Sequence, residues 1–259
     1  MLSKSHLKKI TALKTKKIRN QNQLFLIEGL RICYEAIQSD FMVETLLIQT
    51  NIYSDERTKL IEYAREKEVE IIKISETDTK MLAETVHSQG VFCVVRQKQY
   101  SLDLIKEKDN KFIVIIDSGQ DPGNLGTIIR TCDWFGVDAV ILSKGTVELY
   151  NPKVVRSTMG SIFHLPVIEN VDLSDFLPGI KQTGFSIFAA AVEGHFPYSK
   201  INYKTPFALI LGNENKGIEK QNLPIVDKTI HIPLFGKAES LNIASAGAVL
   251  ISYIRLKIK

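Results

Sequence analysis

The strongest constraint on the fold is a series of short, strongly apolar segments that alternate with segments of helical spacing. The clearest apolar segments are Phe112–Ile116, Val137–Leu142 and Phe207–Leu211. Strands that alternate with helices predict an α/β fold with a mostly parallel sheet and helices on both faces. In such sheets ligands bind beyond the carboxyl ends of the strands. The loops that follow these segments are therefore the candidate site.

The same alternation continues along the rest of the chain. Further strands are predicted at Phe25–Ile27, Val43–Ile48, Glu70–Ile74, Gly90–Val95, Phe185–Val192 and Thr229–Ile232. Helices are predicted at Gly29–Ser39, Asp55–Lys67, Leu125–Phe135 and Asn242–Ile258. The polar segment 97–110 has little apolar content and predicts a linker. We therefore expect two domains, residues 1–105 and residues 106–259.

The positive charge is concentrated at the N-terminus. Residues 1–20 contain seven basic and no acidic side chains, whereas the rest of the chain contains 26 basic and 29 acidic ones. A basic arm on a near-neutral body is typical of proteins that bind a polyanion, because each neutralised phosphate releases a counterion. A solvated tail is the alternative, and the charge alone leaves both open. The residues expected to contact the polyanion are Lys8, Lys9, Lys14, Lys16, Lys17 and Arg19.

Composition argues against several other classes of protein. With 44% hydrophobic and 24% charged residues, the chain has enough apolar side chains for a sizeable core. No apolar run reaches the roughly 18 to 20 residues of a membrane-spanning helix, and no secretory signal is visible. Cys33, Cys93 and Cys132 lie far apart, which indicates buried thiols in the reducing cytoplasm. The five histidines lack ligand spacing, so no metal site is expected.

The loop after the apolar segment Phe112–Ile116 reads DSGQDPGNLG, residues 117–126, and enters a helix. Asn124 can cap that helix. Arg130 lies off the apolar stripe of the helix, so its planar guanidinium can reach the edge of the sheet and suits a phosphate or a carboxylate. A helix cap followed by a surface arginine explains the same residues equally well.

Two later loops follow predicted strands in the same way. In GNENKG, residues 212–217, Gly212 would let a ligand approach the backbone, and Glu214 can accept a hydrogen bond or form a turn. In IPLFGKAESLN, residues 232–242, Ser240 is a candidate N-cap for a helix whose first amides could bind an anion or an adenine edge. Taken alone, each loop is also explained as an ordinary turn or a capped helix.

The order and spacing of the three loops are more specific than any one of them. They read N-x-G-x-x-x-R at 124–130, G-N-E-x-x-G at 212–217 and I-P-x-x-G-x-x-x-S-L-N at 232–242. These segments resemble the three motifs of the SpoU/TrmH family of RNA ribose methyltransferases, within the SPOUT class. The resemblance extends over residues about 108–259, since RSTMGS at 156–161 is similar to the family's middle segment.

The first domain shows a second resemblance. LIEGLR at 26–31 and QGV at 89–91 are similar to the small L30e-like substrate-binding domain that precedes many members of the family. Departures from the family pattern are few. Leu234 stands where Met is common, which preserves volume, and Trp134 stands where small residues are common.

The resemblance implies a fold and an activity. The fold is a small α/β L30e-like domain followed by a SPOUT α/β domain with a deep C-terminal trefoil knot, a feature that no periodicity could reveal. The activity is methyl transfer from S-adenosylmethionine to a ribose 2′-hydroxyl by a homodimer, without a metal. The basic arm and the first domain suit a large structured RNA, so large-subunit rRNA is favoured over tRNA.

The resemblance also implies roles for individual residues. The residues expected to line the cofactor pocket are Leu211, Gly212, Ile232, Leu234 and Leu241. Arg130 is expected at the centre of the site, either as an unusual base or as a clamp on a neighbouring phosphate. The clamp is favoured because a guanidinium is very hard to deprotonate. The residues expected to position Arg130, the ribose and the loops are Asn124, Glu214, Ser240 and Asn242. Arg31 joins the basic arm as an expected RNA contact, and the general base is left unassigned.

Two other functions are considered. A non-catalytic RNA-binding protein that keeps this fold would be expected to lack Arg130 or the S-L-N of the third loop, and both are present. A nucleotide-dependent oxidoreductase would be expected to carry a G-x-G-x-x-G fingerprint, which is absent. The sequence therefore favours the methyltransferase.

Overall fold

The structure, a computed structural model, describes residues 2–106 and 111–258 and divides into two compact units. The first unit comprises Met1–Lys98 with Tyr150–His164, and the second comprises Gln99–Leu149 with Leu165–Lys259. The division falls after Lys98, whereas the sequence places a boundary near residue 105. The predicted linker contains the short helix α6 (Asp103–Lys106), and residues 107–110 of the linker lie outside the described residues.

The first unit consists of helices around a small sheet. Its helices are α1 (Lys4–Ala12), α2 (Lys16–Asn22), α3 (Leu30–Gln38), α4 (Asp55–Glu66), α5 (Glu76–Leu82) and, from the later segment, α8 (Pro152–Thr158). Its strands are β1 (Leu24–Glu28), β2 (Val43–Gln49), β3 (Glu70–Ile74) and β4 (Val91–Arg96). The strand order is β1-β4-β2-β3.

The direction of β4 makes the sheet of the first unit a mixed one. β4 runs antiparallel to both β1 and β2, and only β2 and β3 are parallel. The apolar pattern locates a strand but carries no information about its direction. Direction is decided by which neighbours the strand joins, and β4 inserts between β1 and β2.

The basic N-terminus is folded, so a solvated tail does not describe it. Leu7, Ile10 and Leu13 are spaced at helical intervals and are buried in the core of the first unit. Arg19 is only 2% exposed, and its Nη1 donates hydrogen bonds to the carbonyl oxygens of Leu13 and Lys14 at 2.9 and 2.8 Å. The expectation that Arg19 contacts a polyanion is therefore wrong, because its side chain closes the turn between α1 and α2.

The segment Tyr150–His164 completes the core of the first unit. The ring of Phe25 lies 4.6 Å from that of Tyr150 and 6.4 Å from that of Phe163, measured between centroids. The Tyr150 hydroxyl also donates to the carbonyl oxygen of Lys98 at 2.7 Å. An isolated N-terminal fragment would therefore expose Phe25, which is fully buried here.

The second unit is built on a single parallel sheet. Its helices are α6 (Asp103–Lys106), α7 (Pro122–Trp134), α9 (Leu173–Gln182) and α10 (Ile243–Lys257). Its strands are β5 (Phe112–Ile116), β6 (Ala139–Ser143), β7 (Val167–Val171), β8 (Ser186–Ala190), β9 (Phe196–Pro197), β10 (Phe207–Leu211) and β11 (Lys228–His231). The strand order is β7-β6-β5-β10-β8-β11-β9. No helix in the described residues has both the length and the apolar character needed to cross a bilayer.

All the pairings in this sheet are parallel, which confirms the predicted fold class. The central strands β5 and β10 are buried along their whole length, as expected where helices cover both faces. Because the strands are parallel, the loops after β5, β10 and β11 leave the sheet at one edge. They begin at Asp117, Gly212 and Ile232. The three predicted loops thus meet at that edge.

Candidate active site

The first loop enters α7 through a cap that differs from the predicted one. The carboxylate of Asp121 accepts a hydrogen bond from the backbone N–H of Asn124 at 2.7 Å, and Pro122 occupies the first turn. The prediction that Asn124 caps this helix is wrong, because the helix begins at Pro122, three residues before the predicted start at Leu125. The side chain of Asn124 is consequently free to face the other loops.

Asn124 joins the three loops through its side-chain amide. Its Nδ2 donates to Oε1 of Glu214 at 3.1 Å, and its Oδ1 accepts from Nδ2 of Asn242 at 2.9 Å. The structure therefore brings together three of the residues that the sequence analysis assigned to the site. One amide serves as donor to the second loop and as acceptor from the third.

The third loop ends at a second cap. Oδ1 of Asn242 accepts from the backbone N–H groups of Ala244 and Ser245 at 2.8 and 3.4 Å, so Asn242 is the N-cap of α10. The prediction that Ser240 caps this helix is wrong, because the helix begins only at Ile243. Ser240 is exposed and takes no part in this hydrogen-bond network.

Arg130 is held on the outer face of α7. Its side chain is exposed, and within the described residues it forms no hydrogen bond or salt bridge. The guanidinium is therefore available to a ligand, and its planar set of donors matches the oxygens of a phosphate.

Gly212 is required by its own loop. A Cβ at this position would lie 2.4 Å from the carbonyl carbon of Gly217 and 2.5 Å from the nitrogen of Ile218. The close approach arises because Asn213 and Gly217 exchange two backbone hydrogen bonds, of 2.8 and 2.9 Å, and close a tight hairpin. Closure of the hairpin is thus one reason for a glycine at this position, and the predicted approach of a ligand to its backbone stays a prediction.

The residues expected to line the cofactor pocket differ in exposure. Leu211 is buried and Ile232 is half-buried, whereas Leu234 and Leu241 are 67% and 53% exposed. Within the described residues, the backbone of residues 234–241 forms no hydrogen bond. Apolar side chains beside free backbone donors and acceptors fit the adenosine part of S-adenosylmethionine, which combines apolar rings with hydrogen-bonding edges.

The basic residues expected to contact RNA fall into two groups. Lys8, Lys9, Lys16 and Lys17 are exposed on α1 and α2, and the Arg31 side chain is 76% exposed on α3. In contrast, Nζ of Lys14 donates to the backbone carbonyl oxygens of Met81 and Ala83, each at 3.0 Å. Lys14 therefore stabilises the end of α5.

Asp117, Asn213 and Asn222 had no predicted role, yet their side chains connect the first two loops. Nδ2 of Asn213 donates to the carbonyl oxygen of Ser118, and Nδ2 of Asn222 donates to Oδ2 of Asp117. The signal available in the sequence was Asp117 itself, a polar residue placed directly after a fully apolar strand.

No group of three or more His, Cys, Asp or Glu in the part of the chain described here could hold a metal ion.

Two family models and a set of known proteins match the chain. Residues 111–252 match the model of the SpoU rRNA Methylase family, and residues 4–93 match that of the MRM3-like substrate binding domain. The chain is 36% identical over 245 residues to the 23S rRNA (guanosine(2553)-2′-O)-methyltransferase RlmP of Bacillus subtilis, covering 94% of this chain and 93% of that protein.

Solved structures show the same fold over nearly the whole chain. The SpoU methyltransferase AviRb from Streptomyces viridochromogenes, in complex with AdoMet, is 26% identical with a TM-score of 0.88 and covers 98% of each chain. The AdoMet-bound rRNA methyltransferase from Sinorhizobium meliloti is 28% identical with a TM-score of 0.88, covering 99% of this chain and 97% of that one. The chain therefore belongs to the SpoU rRNA Methylase family.

Proposed function

We propose that the protein transfers the methyl group of S-adenosylmethionine to a ribose 2′-hydroxyl of large-subunit rRNA. The observation that carries this proposal is the side-chain amide of Asn124, which bonds to both Glu214 and Asn242. Asn124 lies on α7, the helix that also presents the exposed Arg130. The similarity to RlmP over most of both chains supports the choice of rRNA over tRNA.

The cofactor is held by Leu211 and Gly212 at the end of β10 and by the loop after β11. S-adenosylmethionine supplies an electrophilic methyl group on a sulfonium, so the reaction needs neither a metal nor a covalent enzyme intermediate. Leu211, Gly212, Ile232, Leu234 and Leu241 form the apolar part of the pocket. The free backbone groups of residues 234–241 provide the hydrogen bonds.

The contribution of Arg130 is to orient the RNA. Its guanidinium keeps its protons at neutral pH, so it binds the phosphate beside the target ribose and fixes the 2′-oxygen relative to the methyl group. Orientation of this kind accounts for a large part of the rate enhancement in group transfer. Asn124, Glu214 and Asn242 hold the three loops in one arrangement around it.

The first unit supplies RNA affinity. Its exposed cations Lys8, Lys9, Lys16, Lys17 and Arg31 contact phosphates of the substrate. The match of residues 4–93 to a substrate-binding domain supports this role. Contacts to phosphates provide affinity that depends strongly on salt and carries no sequence information by itself.

The protein acts as a homodimer through α7 and α10. Trp134 and Leu256 are 84% and 80% exposed, a large apolar area for a monomer. The ends of their helices are adjacent, since a Cβ on Gly136 would lie 3.6 Å from Nη2 of Arg255. Arg130 lies one turn before Trp134 on α7, so the dimer face reaches the site.

Two further features belong to the proposal. The likeness of the second unit to SPOUT methyltransferase structures supports the deep trefoil knot of that class. Cys33, Cys93 and Cys132 are buried as thiols rather than joined in disulfides, which supports a cytoplasmic location.

The test is transfer of radiolabelled methyl from S-adenosylmethionine to unmodified rRNA and tRNA, assayed separately. We expect label in rRNA, and resistance to alkali of the phosphodiester that follows the labelled nucleotide. Label that leaves this bond sensitive to alkali would indicate base methylation instead. Absence of both label and cofactor binding would favour a non-catalytic RNA-binding protein.

A further inference from the structure

The end of β5 holds a buried carboxylate. Asp117 is 1% exposed, and its Oδ2 accepts from the backbone N–H of Glu219 at 3.0 Å and from Nδ2 of Asn222 at 3.1 Å. Its Oδ1 accepts from the hydroxyls of Ser118 and Ser143, each at 3.4 Å. A buried carboxylate is stable only where donors of this kind surround it. Asp117 thus anchors the chain that leaves the second loop.

The next residue anchors the chain that enters the same loop. Ser118 has a φ of +57°, a backbone conformation that is unfavourable for a residue other than glycine. In this conformation its N–H donates to Oγ of Ser143 at 2.8 Å, and its carbonyl oxygen accepts from Nδ2 of Asn213 at 2.7 Å. Strained residues of this kind persist where the surrounding contacts determine them.

Asn213 also builds the turn that contains Glu214. Its Oδ1 accepts from the backbone N–H groups of Asn215 and Lys216 at 3.0 and 3.1 Å. One amide therefore shapes the turn with its oxygen and fastens it to Ser118 with its nitrogen. The hairpin 212–217 is fixed on both sides to residues 117 and 118.

We propose that Asn213 is a positioning residue for methyl transfer. It fixes the hairpin on the end of β5, so that the carboxylate of Glu214 meets the amide of Asn124. This inference rests on the proposed function and extends it to a residue whose side-chain amide bonds to the backbone of Ser118, Asn215 and Lys216. Its action is transmitted through Glu214.

The test replaces the NH2 group of the Asn213 side chain with an oxygen. Asn213→Asp keeps an oxygen to shape the turn but places a second oxygen against the carbonyl of Ser118, where a donor is required. The matched control is Asn215→Asp, the same exchange two residues later, on an exposed side chain without a hydrogen bond within the described residues. We expect Asn213→Asp to lower kcat at least tenfold with KM for RNA within about threefold, and Asn215→Asp to stay within twofold of the unmodified protein.

A double-mutant cycle separates positioning from a general loss of structure. If Asn213 acts through Glu214, adding Asn213→Asp to Glu214→Gln will slow transfer little further. Equal rates for the two aspartate variants, or effects that multiply in the double variant, would overturn the proposal. Asn213→Ser, which can still accept from the turn but is too short to reach Ser118, replaces Asn213→Asp if the latter fails to fold.

Hydrogen exchange keeps this inference distinct from the proposed function. We expect the amides of residues 213–219 to exchange faster in Asn213→Asp, with the melting temperature within a few degrees. Unmodified protein that transfers no methyl group to any RNA would overturn the proposed function and, with it, the positioning role. Transfer by the unmodified protein with unchanged exchange in Asn213→Asp would overturn the positioning role alone.

Discussion

The side-chain amide of Asn124 lies 3.1 Å from the carboxylate of Glu214, ninety residues later in the chain. The oxygen of that amide accepts from Asn242 at 2.9 Å. Because an amide carries a donor and an acceptor on one rigid group, Asn124 can satisfy both partners at once. A carboxylate, a hydroxyl or an amine at this position would leave at least one contact weaker or repulsive.

Asn124→Asp tests the polarity of this contact. The change places two carboxylates against each other, so we expect at least a tenfold loss of methyl transfer, in line with a cost of about 1–3 kcal/mol for a mismatched polar contact. Adding Glu214→Gln should restore part of the rate, because the new amide can donate to Asp at position 124. Initial rates of the four proteins measure the effect, and a double variant as slow as the product of the two single losses would contradict it.

Arg130→Ala tests the phosphate clamp. We expect transfer to be abolished and affinity for S-adenosylmethionine, measured by calorimetry, to stay within a few-fold, because Arg130 faces solvent and supports none of the loops. Arg130→Lys keeps the charge but loses the planar set of donors, so only part of the rate should return. Turnover at the level of the unmodified protein in Arg130→Ala would exclude Arg130 from the mechanism.

The parts of the site that the sequence could predict depend on strand pattern. β5 and β10 have the predicted bounds, since continuous apolar runs between turn residues identify buried parallel strands. Parallel strands place the loops that follow them at one edge of the sheet. Asn124, Glu214 and Asn242 could therefore be expected near one another from the sequence alone.

The parts that could not be predicted depend on contacts between distant residues. The helix caps at Asp121 and Asn242 are decided by a difference of one to three residues in where each helix begins. The burial of Arg19 depends on a turn between two helices, and the packing of Tyr150 on Phe25 joins residues far apart in the chain. Periodicity describes neighbours along the chain and is silent about such pairs.

Gly212→Ala tests the close approach within the hairpin. The new methyl group would lie 2.4 Å from a backbone atom of Gly217, so the hairpin must open. We expect a stability loss of about 1–3 kcal/mol, as for an overpacked site, together with weaker cofactor binding. Gly179→Ala in α9 is the matched control, because a Cβ at this position would meet no atom within 4 Å apart from its chain neighbours and the backbone of its own helix. This change should stabilise the protein by about 0.5–1 kcal/mol. Equal melting temperatures for the two variants would contradict this interpretation.

Trp134→Glu tests the homodimer. A carboxylate on the exposed apolar face of α7 and α10 should separate the subunits, because a buried unpaired charge costs several kcal/mol at an interface. We expect a dimer mass for the unmodified protein by light scattering and a monomer mass for the variant. Val192→Glu, at a position 70% exposed elsewhere in the second unit, should leave the mass unchanged. A dimeric Trp134→Glu would place the interface on another surface.

The contribution of the N-terminal cations can be tested without deleting them. Removal of residues 1–20 would take Leu7, Ile10 and Leu13 out of the core, so lost RNA binding would not distinguish charge from folding. The triple variant Lys8→Gln, Lys9→Gln, Lys16→Gln changes only exposed side chains of α1 and α2. We expect weaker RNA binding and a slope of log affinity against log salt that is smaller by about 2 to 3.

The matched control removes the same number of cations from the middle of the first unit's sequence. The control is the triple variant Lys59→Gln, Arg65→Gln, Lys67→Gln. The three side chains that it changes are exposed and lie on or directly after α4. Because both triple variants lose three positive charges, a general effect of net charge would reduce the two slopes equally. A reduced slope in the N-terminal variant alone would locate the phosphate contacts on α1 and α2, whereas equal slopes would show that these helices serve folding and provide no specific RNA contact.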